Sequence, residues 1–316
     1  MAEIMIMGEL LVEIMRAGED VPLFETGAYF RGPFPSGAPG IFISTAARLG
    51  HSAGIISGVG DDDFGKNILD RLEAVGVDTR RVIRSREGAT GAAFVTYFSD
   101  GERKFIFHID HTPAVAAKAP ENMEGLEDAK YFHIMGCSLM ASVSFGKEIV
   151  KTMRRLKAQG TKVSFDPNVR LEMLRDAEAM DLVQEVYKNS DIFMPGVSEL
   201  KMITGMETVE AAVEKAFEDN SGLELLVLKN GSKGSRLYTR NGLEETMGIY
   251  PVEQVDATGA GDSYDAAFIC GLAEGKSLKE AAQMGAAAGA LNAAAFGPME
   301  GDISRETVMG MIEKHK

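Results

Sequence analysis

The sequence lacks the features of disulfide-rich, membrane-spanning and nucleic-acid-binding proteins. Only two cysteines, Cys137 and Cys270, occur in 316 residues, and both lie in apolar segments, as is typical of reduced, buried thiols in a cytoplasmic protein. No hydrophobic run reaches the length of a transmembrane helix. Acidic residues outnumber basic ones and give a net charge of −14, so we expect neither nucleic acid nor a membrane as a partner.

Two common nucleotide-binding fingerprints are also missing. The segment from Gly271 to Ser277 resembles a P-loop, but its first glycine is one position late and it falls at a predicted helix end. The segment GVGDDDFG has Asp63 where a dinucleotide fingerprint requires its third glycine. The sequence therefore argues against a P-loop NTPase and against a dehydrogenase.

The chain does contain an alternation of strand and helix patterns, which is most regular after residue 128. Repeated β–α units predict a mostly parallel sheet covered by helices on both faces, an α/β fold that this chain length fills as a single domain, 1–316. The strands are expected at 131–136, 162–168, 191–196 and 224–229, and the helices at 142–158, 176–188, 198–204 and 208–219.

Two earlier regions, near 10–31 and 89–109, do not fit this alternation and have the patterns of β-hairpins. Asp100-Gly101 is the turn signal of the second region. We expect both regions to contribute to a small β-sheet that projects from the main sheet.

The first of these regions carries more detailed expectations. Residues 22–31 predict a half-exposed strand, and the segment GPFPSGAPG at 32–40 predicts a loop because it is rich in proline and glycine. A helix is expected to begin near Ile41.

The most informative stretch is DATGAGDSYDAAF, residues 256–268. A strand-like run at 250–255 precedes it, and an apolar helical pattern follows. The small residues at 259–261 allow a sharp turn, and the first N–H groups of the helix attract anions. Asp262 stands where a phosphoryl acceptor would need a group to take its proton. The alternative is a tight turn in which Asp262 is only the helix cap.

The whole stretch resembles the signature of the ribokinase-like, PfkB-type carbohydrate kinases. The resemblance implies a three-layer α/β/α fold with a β-sheet lid, and it implies ATP and Mg²⁺ as cosubstrate and cofactor. It also implies that Asp262 deprotonates a sugar hydroxyl. The backbone amides of Gly259, Ala260 and Gly261 would then stabilise the transferring phosphoryl group.

The turn SGAPG at 36–40 is similar to the GGAPxN signature of the same family, which implies that Gly37 and Ala38 border the sugar. Glu13 stands where the family commonly has a sugar-binding Asp, and Ile41 replaces a sugar-binding Asn. These departures alter which sugar hydroxyls can be bound, since an unpaired buried hydroxyl is costly. They resemble the branch of 2-keto-3-deoxygluconate, tagatose and fructose kinases.

The segment FDPNVR at 165–170 ends a predicted strand, where parallel sheets bind ligands. It is similar to the FDPNxR of ketose and keto-acid kinases, which implies that Asn168 binds the substrate and that Arg170 binds the substrate or γ-phosphate. Arg103 matches a lid arginine of the same branch. The alternative is a capped loop with a surface arginine.

Metal-binding residues are implied in two places. Glu199 resembles the glutamate of the NxxE motif of the family, which holds Mg²⁺ through water, although Gly196 replaces the Asn. Its alternative role is to start a helix. Asp256 and Thr258 are candidates to supply oxygens to a monovalent cation such as K⁺, as in many members of the family.

The strand–turn–strand pattern at 225–238 lies where relatives surround the ribose and phosphates of the nucleotide. The Ala-rich segment at 281–295 borders the adenine in the family, and the alternative for it is helix packing. The implied nucleotide-binding residues are Lys229, Gly231, Gly234, Gly259, Gly261 and Asn292.

The sequence therefore predicts an ATP-dependent, Mg²⁺-requiring kinase that phosphorylates a primary hydroxyl of a ketose or keto-sugar acid. The lid is expected at about 10–32 and 88–110, where it would close over the sugar and form a homodimer contact. Two alternatives remain: a catalytically inactive sugar- or nucleotide-binding protein on this fold, and a nucleoside-type kinase of the same family.

Overall fold

The computed structural model describes residues 2–100, 102–174 and 176–316, so Gly101 of the expected hairpin turn lies outside the described residues. These residues form a nine-stranded sheet and a four-stranded sheet, with helices packed against them. The strands are, in chain order, β1 (Ile4–Met7), β2 (Leu11–Arg16), β3 (Phe30–Ser36), β4 (Ala53–Gly60), β5 (Asp78–Ser85), β6 (Gly91–Tyr97), β7 (Arg103–His108), β8 (Tyr131–Met135), β9 (Lys162–Asp166), β10 (Ile192–Phe193), β11 (Leu225–Lys229), β12 (Ser235–Thr239) and β13 (Gly242–Met247).

Helices connect most of the strands, and none of those in the described ranges is long and apolar enough to cross a membrane. They are α1 (Ala38–Arg48), α2 (Asp63–Ala74), α3 (Pro113–Ala116), α4 (Gly136–Ala141), α5 (Val143–Ala158), α6 (Glu178–Asn189), α7 (Val197–Thr204), α8 (Val209–Asp219), α9 (Ala260–Ala273), α10 (Leu278–Ala293) and α11 (Arg305–Lys314).

The nine-stranded sheet has the order β13-β12-β11-β10-β9-β8-β1-β4-β5. Its strands are parallel from β11 to β5, and only β12 and β13 are antiparallel. The interior strand β1, between β8 and β4, has the sequence IMIM and is buried at every position, as expected for a strand covered on both faces. The predicted α/β fold with a mostly parallel sheet is therefore confirmed.

The strand expected at 250–255 is wrong, because these residues form a loop that leads into α9. The backbone N–H groups of Val255 and Asp256 both donate to the carbonyl of Ala293, at 2.8 and 3.1 Å. Their hydrogen bonds are therefore made by the end of α10 rather than by a neighbouring strand.

The four-stranded sheet has the order β3-β2-β6-β7, which confirms the projecting small sheet. The expected strand at 22–31 and loop at 32–40 are wrong, since the strand is β3 and it contains Pro33 and Pro35. Because β3 is an edge strand that pairs only with β2, the missing N–H groups of its prolines interrupt no second ladder.

Helix α1 begins at Ala38, three residues before the predicted start at Ile41. Pro39 stands in the first turn, where its missing N–H group would have had no helical acceptor and its fixed φ suits a helix. The Pro/Gly-rich segment thus divides between the end of a strand and the start of a helix.

The Ala-rich segment forms most of α10 and packs closely on α9, which confirms the interpretation as helix packing. A Cβ atom on Gly285 would lie 3.0 Å from the ring of Tyr264, and one on Gly289 would lie 3.0 Å from the carbonyl of Ala260. The small residues of α10 therefore hold the beginning of α9 in place.

The carboxyl ends of β1, β8, β9 and β11 lie along one edge of the large sheet, because these strands are parallel. Polar residues follow directly on these ends, as Glu9 follows β1 and Asn168 follows β9, while Lys229 is the last residue of β11. This edge is where open parallel sheets bind ligands.

Candidate active site

A cavity lies between the small sheet and the carboxyl ends of the central strands. Its wall combines β2 and β7 of the small sheet with the start of α1, the loop after β9 and the turn before α9. The residues predicted from the sequence that line it are Glu13, Gly37, Ala38, Arg103, Asn168, Arg170, Thr258, Gly259 and Asp262.

The turn before α9 has the tight glycine turn that the sequence predicts, but one of the three amides predicted to bind the phosphoryl group, that of Ala260, donates within the turn itself. Gly259 is the N-cap with φ 79°, and a Cβ atom there would meet the Pro298 carbonyl at 2.7 Å, so glycine is required. The N–H of Ala260 donates to the carbonyl of Ala257 at 3.2 Å. The remaining amides of the first turn, including that of Gly261, precede any intrahelical acceptor and can bind an anion.

Asp262 is buried in the first turn of α9 and lines the cavity. Its Oδ1 accepts a hydrogen bond from Asn168 Nδ2 at 3.0 Å, so the residue predicted to bind substrate contacts the predicted base. Substrate binding by Asn168 stays a prediction. Burial, and next the charge of Asp166, raise the pKa of Asp262 to about 7. A carboxylate with such a pKa can accept a proton near neutral pH.

A buried ion-pair network lies behind Asp262. Lys229 Nζ donates to Asp166 Oδ2 at 2.8 Å and to Asp265 Oδ2 at 2.7 Å. Burial raises the pKa of Asp265. Burial acts in the same direction at Asp166, but the charge and hydrogen bond of Lys229 together with the hydrogen bond to Asp265 lower the pKa of Asp166. Asp166 Oδ1 in turn accepts from the backbone N–H of Asn168 at 3.1 Å, which connects the network to the partner of Asp262.

Glu13 extends from β2 into the opposite side of the cavity. Its Oε2 accepts from Ser36 Oγ at 2.8 Å, while its buried Oε1 has no partner among the described residues. Burial raises the pKa of Glu13 to about 7. An unpaired acceptor that faces a cavity is suited to a hydroxyl of a ligand.

Glu9 also lines the cavity, and it was missed by the sequence-based prediction. Ser138 donates to Glu9 Oε2, and Cys137 Sγ donates to Glu9 Oε1 at 3.3 Å. Burial raises the pKa of Glu9. Glu9 could have been found from its position directly after Gly8, just beyond the carboxyl end of the buried strand β1, where parallel sheets bind ligands.

Arg170 and Arg103 bring positive charge to the cavity, and both act to lower the pKa of Asp262. Arg170 donates through Nη1 to the Val169 carbonyl at 3.1 Å, and a guanidinium carries further donors that can bind an anionic ligand. Gly37 has φ 95°, and a Cβ atom there would lie 2.6 Å from the carbonyl of Glu9, so this turn requires glycine.

Glu199 lies at the start of α7, where both of its oxygens accept backbone N–H bonds. Oε1 accepts from Val169 and Oε2 from Gly196, each at 2.8 Å. Within the described ranges, no group of three or more His, Cys, Asp or Glu side chains could hold a metal ion. Because backbone N–H groups hold both oxygens, the carboxylate suits contact with Mg²⁺ through water, and the prediction for Glu199 stays a prediction.

The predicted nucleotide-binding residues divide between two places. Gly231 and Gly234 stand in the turn between β11 and β12, and a Cβ atom on Gly234 would meet the Met247 carbonyl at 2.0 Å. Asn292 is buried in the last turn of α10 and donates through Nδ2 to the Thr258 carbonyl at 2.6 Å. Nucleotide contacts by these residues stay predictions, while Asn292 contacts the loop that forms the anion site.

The predicted monovalent-cation residues are joined to the small sheet by Tyr97, which the sequence did not suggest. The Tyr97 hydroxyl donates to Asp256 Oδ1 at 3.1 Å and also contacts Thr258 Oγ1. Asp256 Oδ1 accepts from Thr258 Oγ1 at 2.6 Å as well. The end of β6 is therefore bonded to the loop before α9, which carries the predicted anion site.

The chain is similar to known proteins of one family. The model of the pfkB family carbohydrate kinases matches residues 35–304. The chain is 32% identical over 295 residues to "Probable fructokinase-5" of Arabidopsis thaliana, covering 90% of this chain and 89% of the relative. It is 30% identical to "Fructokinase-1" of Oryza sativa subsp. japonica, covering 97% and 96%. The crystal structure of a "putative Ribokinase II" from E. coli in complex with ATP and Mg²⁺ has a TM-score of 0.91 and 38% identity, and covers 100% of both chains.

Proposed function

Since the chain belongs to the pfkB family of carbohydrate kinases, and so is a phosphotransferase acting on a sugar hydroxyl, we propose that it uses ATP and Mg²⁺ to phosphorylate a primary hydroxyl of a ketose of the fructose type. The observation that carries this proposal is the position of Asp262, buried in one cavity with Glu13, Arg170 and the Gly259 turn. The proposed base, the side chain that would bind the sugar and the turn that would bind the phosphoryl group thus line the same cavity.

Each part of the cavity has a role in this reaction. Asp262 takes the proton of the attacking hydroxyl while Asn168 holds its carboxylate in place. The first-turn amides of α9 and the Arg170 guanidinium stabilise the charge of the transferring phosphoryl group. The small sheet covers the sugar and excludes water, which would otherwise compete as the acceptor.

ATP and Mg²⁺ are supported by the E. coli structure, which contains both. In this chain the first turn of α9 and the turn around Gly231 are the candidate phosphate and ribose contacts. Mg²⁺ bound with the phosphates would neutralise part of their charge, with Glu199 in reach only through water.

The ketose assignment is supported by the fructokinase relatives and by the unpaired Oε1 of Glu13, which can accept a sugar hydroxyl. A keto-sugar acid such as 2-keto-3-deoxygluconate is the second candidate. It is favoured by one observation, which is that both Arg103 and Arg170 line the cavity and could bind a carboxylate.

A coupled assay of ADP release on fructose, tagatose, 2-keto-3-deoxygluconate, ribose and adenosine tests the proposal. We expect turnover with a ketose or the keto-sugar acid and none with adenosine. ADP release with adenosine alone would identify a nucleoside-type kinase. ATP and sugar binding without ADP release would identify an inactive binding protein.

Turnover is expected to depend on pH. Because the pKa of Asp262 is raised to about 7, kcat/KM for the sugar should rise as the pH increases through that value and then level off, as the base loses its proton. Glu13 titrates in the same range, so the profile is also measured with Glu13→Gln, in which Asp262 alone remains. A kcat/KM that is constant between about pH 6 and pH 8 in both proteins contradicts the role of Asp262.

Substitution of Arg170 and of Arg103 should change different kinetic constants. Arg170→Gln is expected to lower kcat on every accepted sugar by about 10²-fold, because a charge next to the phosphoryl group is lost. Arg103→Gln should mainly raise KM, and more for 2-keto-3-deoxygluconate than for fructose if the acid is the substrate. The exposed Arg80→Gln is the control and should change neither constant. An Arg170→Gln enzyme with unchanged kcat contradicts the assigned position of the phosphoryl group.

A homodimer through the small sheet stays a proposal. Phe24 and Tyr29, in the segment between β2 and β3, are 81% and 83% exposed, as suits an apolar contact with a second copy. Light scattering on the wild type and on Phe24→Ser/Tyr29→Ser tests it, with a dimer expected only for the wild type. A wild-type monomer would contradict it.

A further inference from the structure

The oxygens expected to bind a monovalent cation already accept hydrogen bonds. Asp256 Oδ1 accepts from the backbone N–H of Thr258 at 2.9 Å, from Thr258 Oγ1 at 2.6 Å and from Tyr97 at 3.1 Å. Asp256 Oδ2 accepts from the backbone N–H of Gly297 at 2.9 Å. Donors therefore occupy the side of the carboxylate that faces the loop before α9.

The carbonyl of Thr258 is occupied in the same way. Asn292 Nδ2 donates to it at 2.6 Å, and Asn292 is 1% exposed. The same Nδ2 would lie 3.1 Å from a Cβ atom on Gly259, so the amide fills the space directly under the turn. An alkali cation needs several free oxygens, whereas the Asn292 atom placed against the Thr258 carbonyl is Nδ2, the positive end of an N–H dipole. The buried Oδ1 of Asn292 is the one oxygen of this side chain, and it has no partner among the described residues.

A further carbonyl at this place is used as well, since Ala293 O accepts the N–H groups of both Val255 and Asp256. The loop is thus attached to the end of α10 by the hydrogen bonds of Asn292 Nδ2 and of the N–H groups of Val255 and Asp256. The donor set does not fit a monovalent cation, contrary to the expectation for Asp256 and Thr258 from the family resemblance.

We propose that the Asn292 side chain takes the place of a monovalent cation in this protein. Its amide holds the Thr258 carbonyl, and through it the Gly259 turn, in the position that receives the phosphoryl group. Asn292 is a positioning residue, and phosphotransfer needs no K⁺. This inference rests on the proposed function only in that the turn binds the transferring group.

The test compares the wild type, Asn292→Asp, Asn292→Ala and the control Asn241→Asp, which changes an exposed asparagine between β12 and β13. Each is measured in KCl, NaCl and tetramethylammonium chloride at equal ionic strength. Thermal unfolding is recorded without substrates, and kcat and KM are recorded on the best sugar. Unfolding of the free protein reports on the cation whether or not any sugar is phosphorylated, so failure of the proposed function remains distinguishable.

The wild type and Asn241→Asp should have the same Tm and, within about twofold, the same kcat in all three salts. Asn292→Asp places a carboxylate against the Thr258 carbonyl without a donor, so in tetramethylammonium its kcat should fall by about tenfold or more, with KM little changed. K⁺ should restore its Tm and part of its kcat, because the introduced carboxylate and the Thr258 carbonyl would then face each other across a space that a cation can fill. Asn292→Ala should lose kcat in every salt.

Three results overturn the proposal. One is a wild-type Tm or kcat that is higher in K⁺ than in tetramethylammonium, since the cation site would then exist. Another is full kcat in both Asn292 variants, since the turn would not depend on the amide. The third is a loss of stability in Asn292→Asp that K⁺ does not restore, since Asn292 would then be a packing residue.

Discussion

Asp262→Asn should lower kcat by about 10²- to 10⁴-fold, the contribution of a general base, while the protein still binds nucleotide and sugar. The carboxylate is the acid that the cavity holds next to the α9 amides, and its replacement keeps the size of the side chain and the contact with Asn168 Nδ2. Single-turnover measurements with bound ATP separate this loss of chemistry from a loss of affinity. A kcat within about threefold of the wild type would refute the assigned base.

The same substitution should make the protein more stable. Burial raises the pKa of Asp262 from its ordinary 3.8 to about 7, so between these values the folded protein holds a proton that the unfolded chain has lost. The contribution of Asp262 to the free energy of unfolding of the wild type is therefore fully present below about pH 4 and is lost as the pH rises through about 7. The Tm advantage of Asp262→Asn should grow across this interval and stay constant above it.

A matched control for both measurements is Asp63→Asn, which changes an exposed acid in the first turn of α2. It should leave kcat unchanged and lower Tm slightly, because an acid at a helix N-terminus is favourable. If Asp262→Asn is also less stable than the wild type at pH 8, burial of the ionised Asp262 carboxylate does not destabilise the folded protein, and the prediction is contradicted.

Lys229→Met should lower the free energy of unfolding by about 3–5 kcal/mol, the cost of breaking a buried ion pair by removal of one partner. Lys229 is the cation between Asp166 and Asp265, and both carboxyls are buried. Urea unfolding measures the effect. Lys162→Met is the control, because Lys162 pairs with Glu224 at the surface, and it should cost about 0–1 kcal/mol.

Two further measurements separate charge from packing at this site. Adding Asp265→Asn to Lys229→Met should recover part of the lost stability, because one uncompensated buried carboxyl is removed. Lys229 also lowers the pKa of Asp262, so any activity left in Lys229→Met should rise with pH at a higher value than in the wild type. An equal loss in the single and double variants would show that packing of the lysine stem dominates.

The ribokinase-like fold could be predicted from the sequence, and the E. coli structure and the family model confirm the fold and the family. The glycine turn and buried acid at residues 256–268 could also be predicted, while their role in phosphoryl transfer stays a proposal. Strand and helix periods, glycine turns and an acid at a helix start are local patterns. These local patterns can be recognised in the sequence because backbone geometry limits which residues can occupy such positions.

The errors arose where a neighbouring element decides the local structure. The prolines of β3 predict a loop, yet an edge position in the small sheet allows a strand there. The β-like run at 250–255 forms no strand, and the N–H group of Val255 at its end donates to α10 rather than to a neighbouring strand. Neither the small sheet beside β3 nor α10 beside the 250–255 run can be recognised from a short stretch of the sequence.

The sequence by itself determined that Asp262 follows a glycine turn at a helix start and that an α/β sheet presents it. Only the tertiary structure decided that Asn168, which is 94 positions away, binds this acid, that Lys229 lies between two carboxylates, and that Asn292 holds the turn. The reason is physical: the turn depends on neighbouring residues, whereas pKa values and partners depend on burial, which only the packing of distant segments creates.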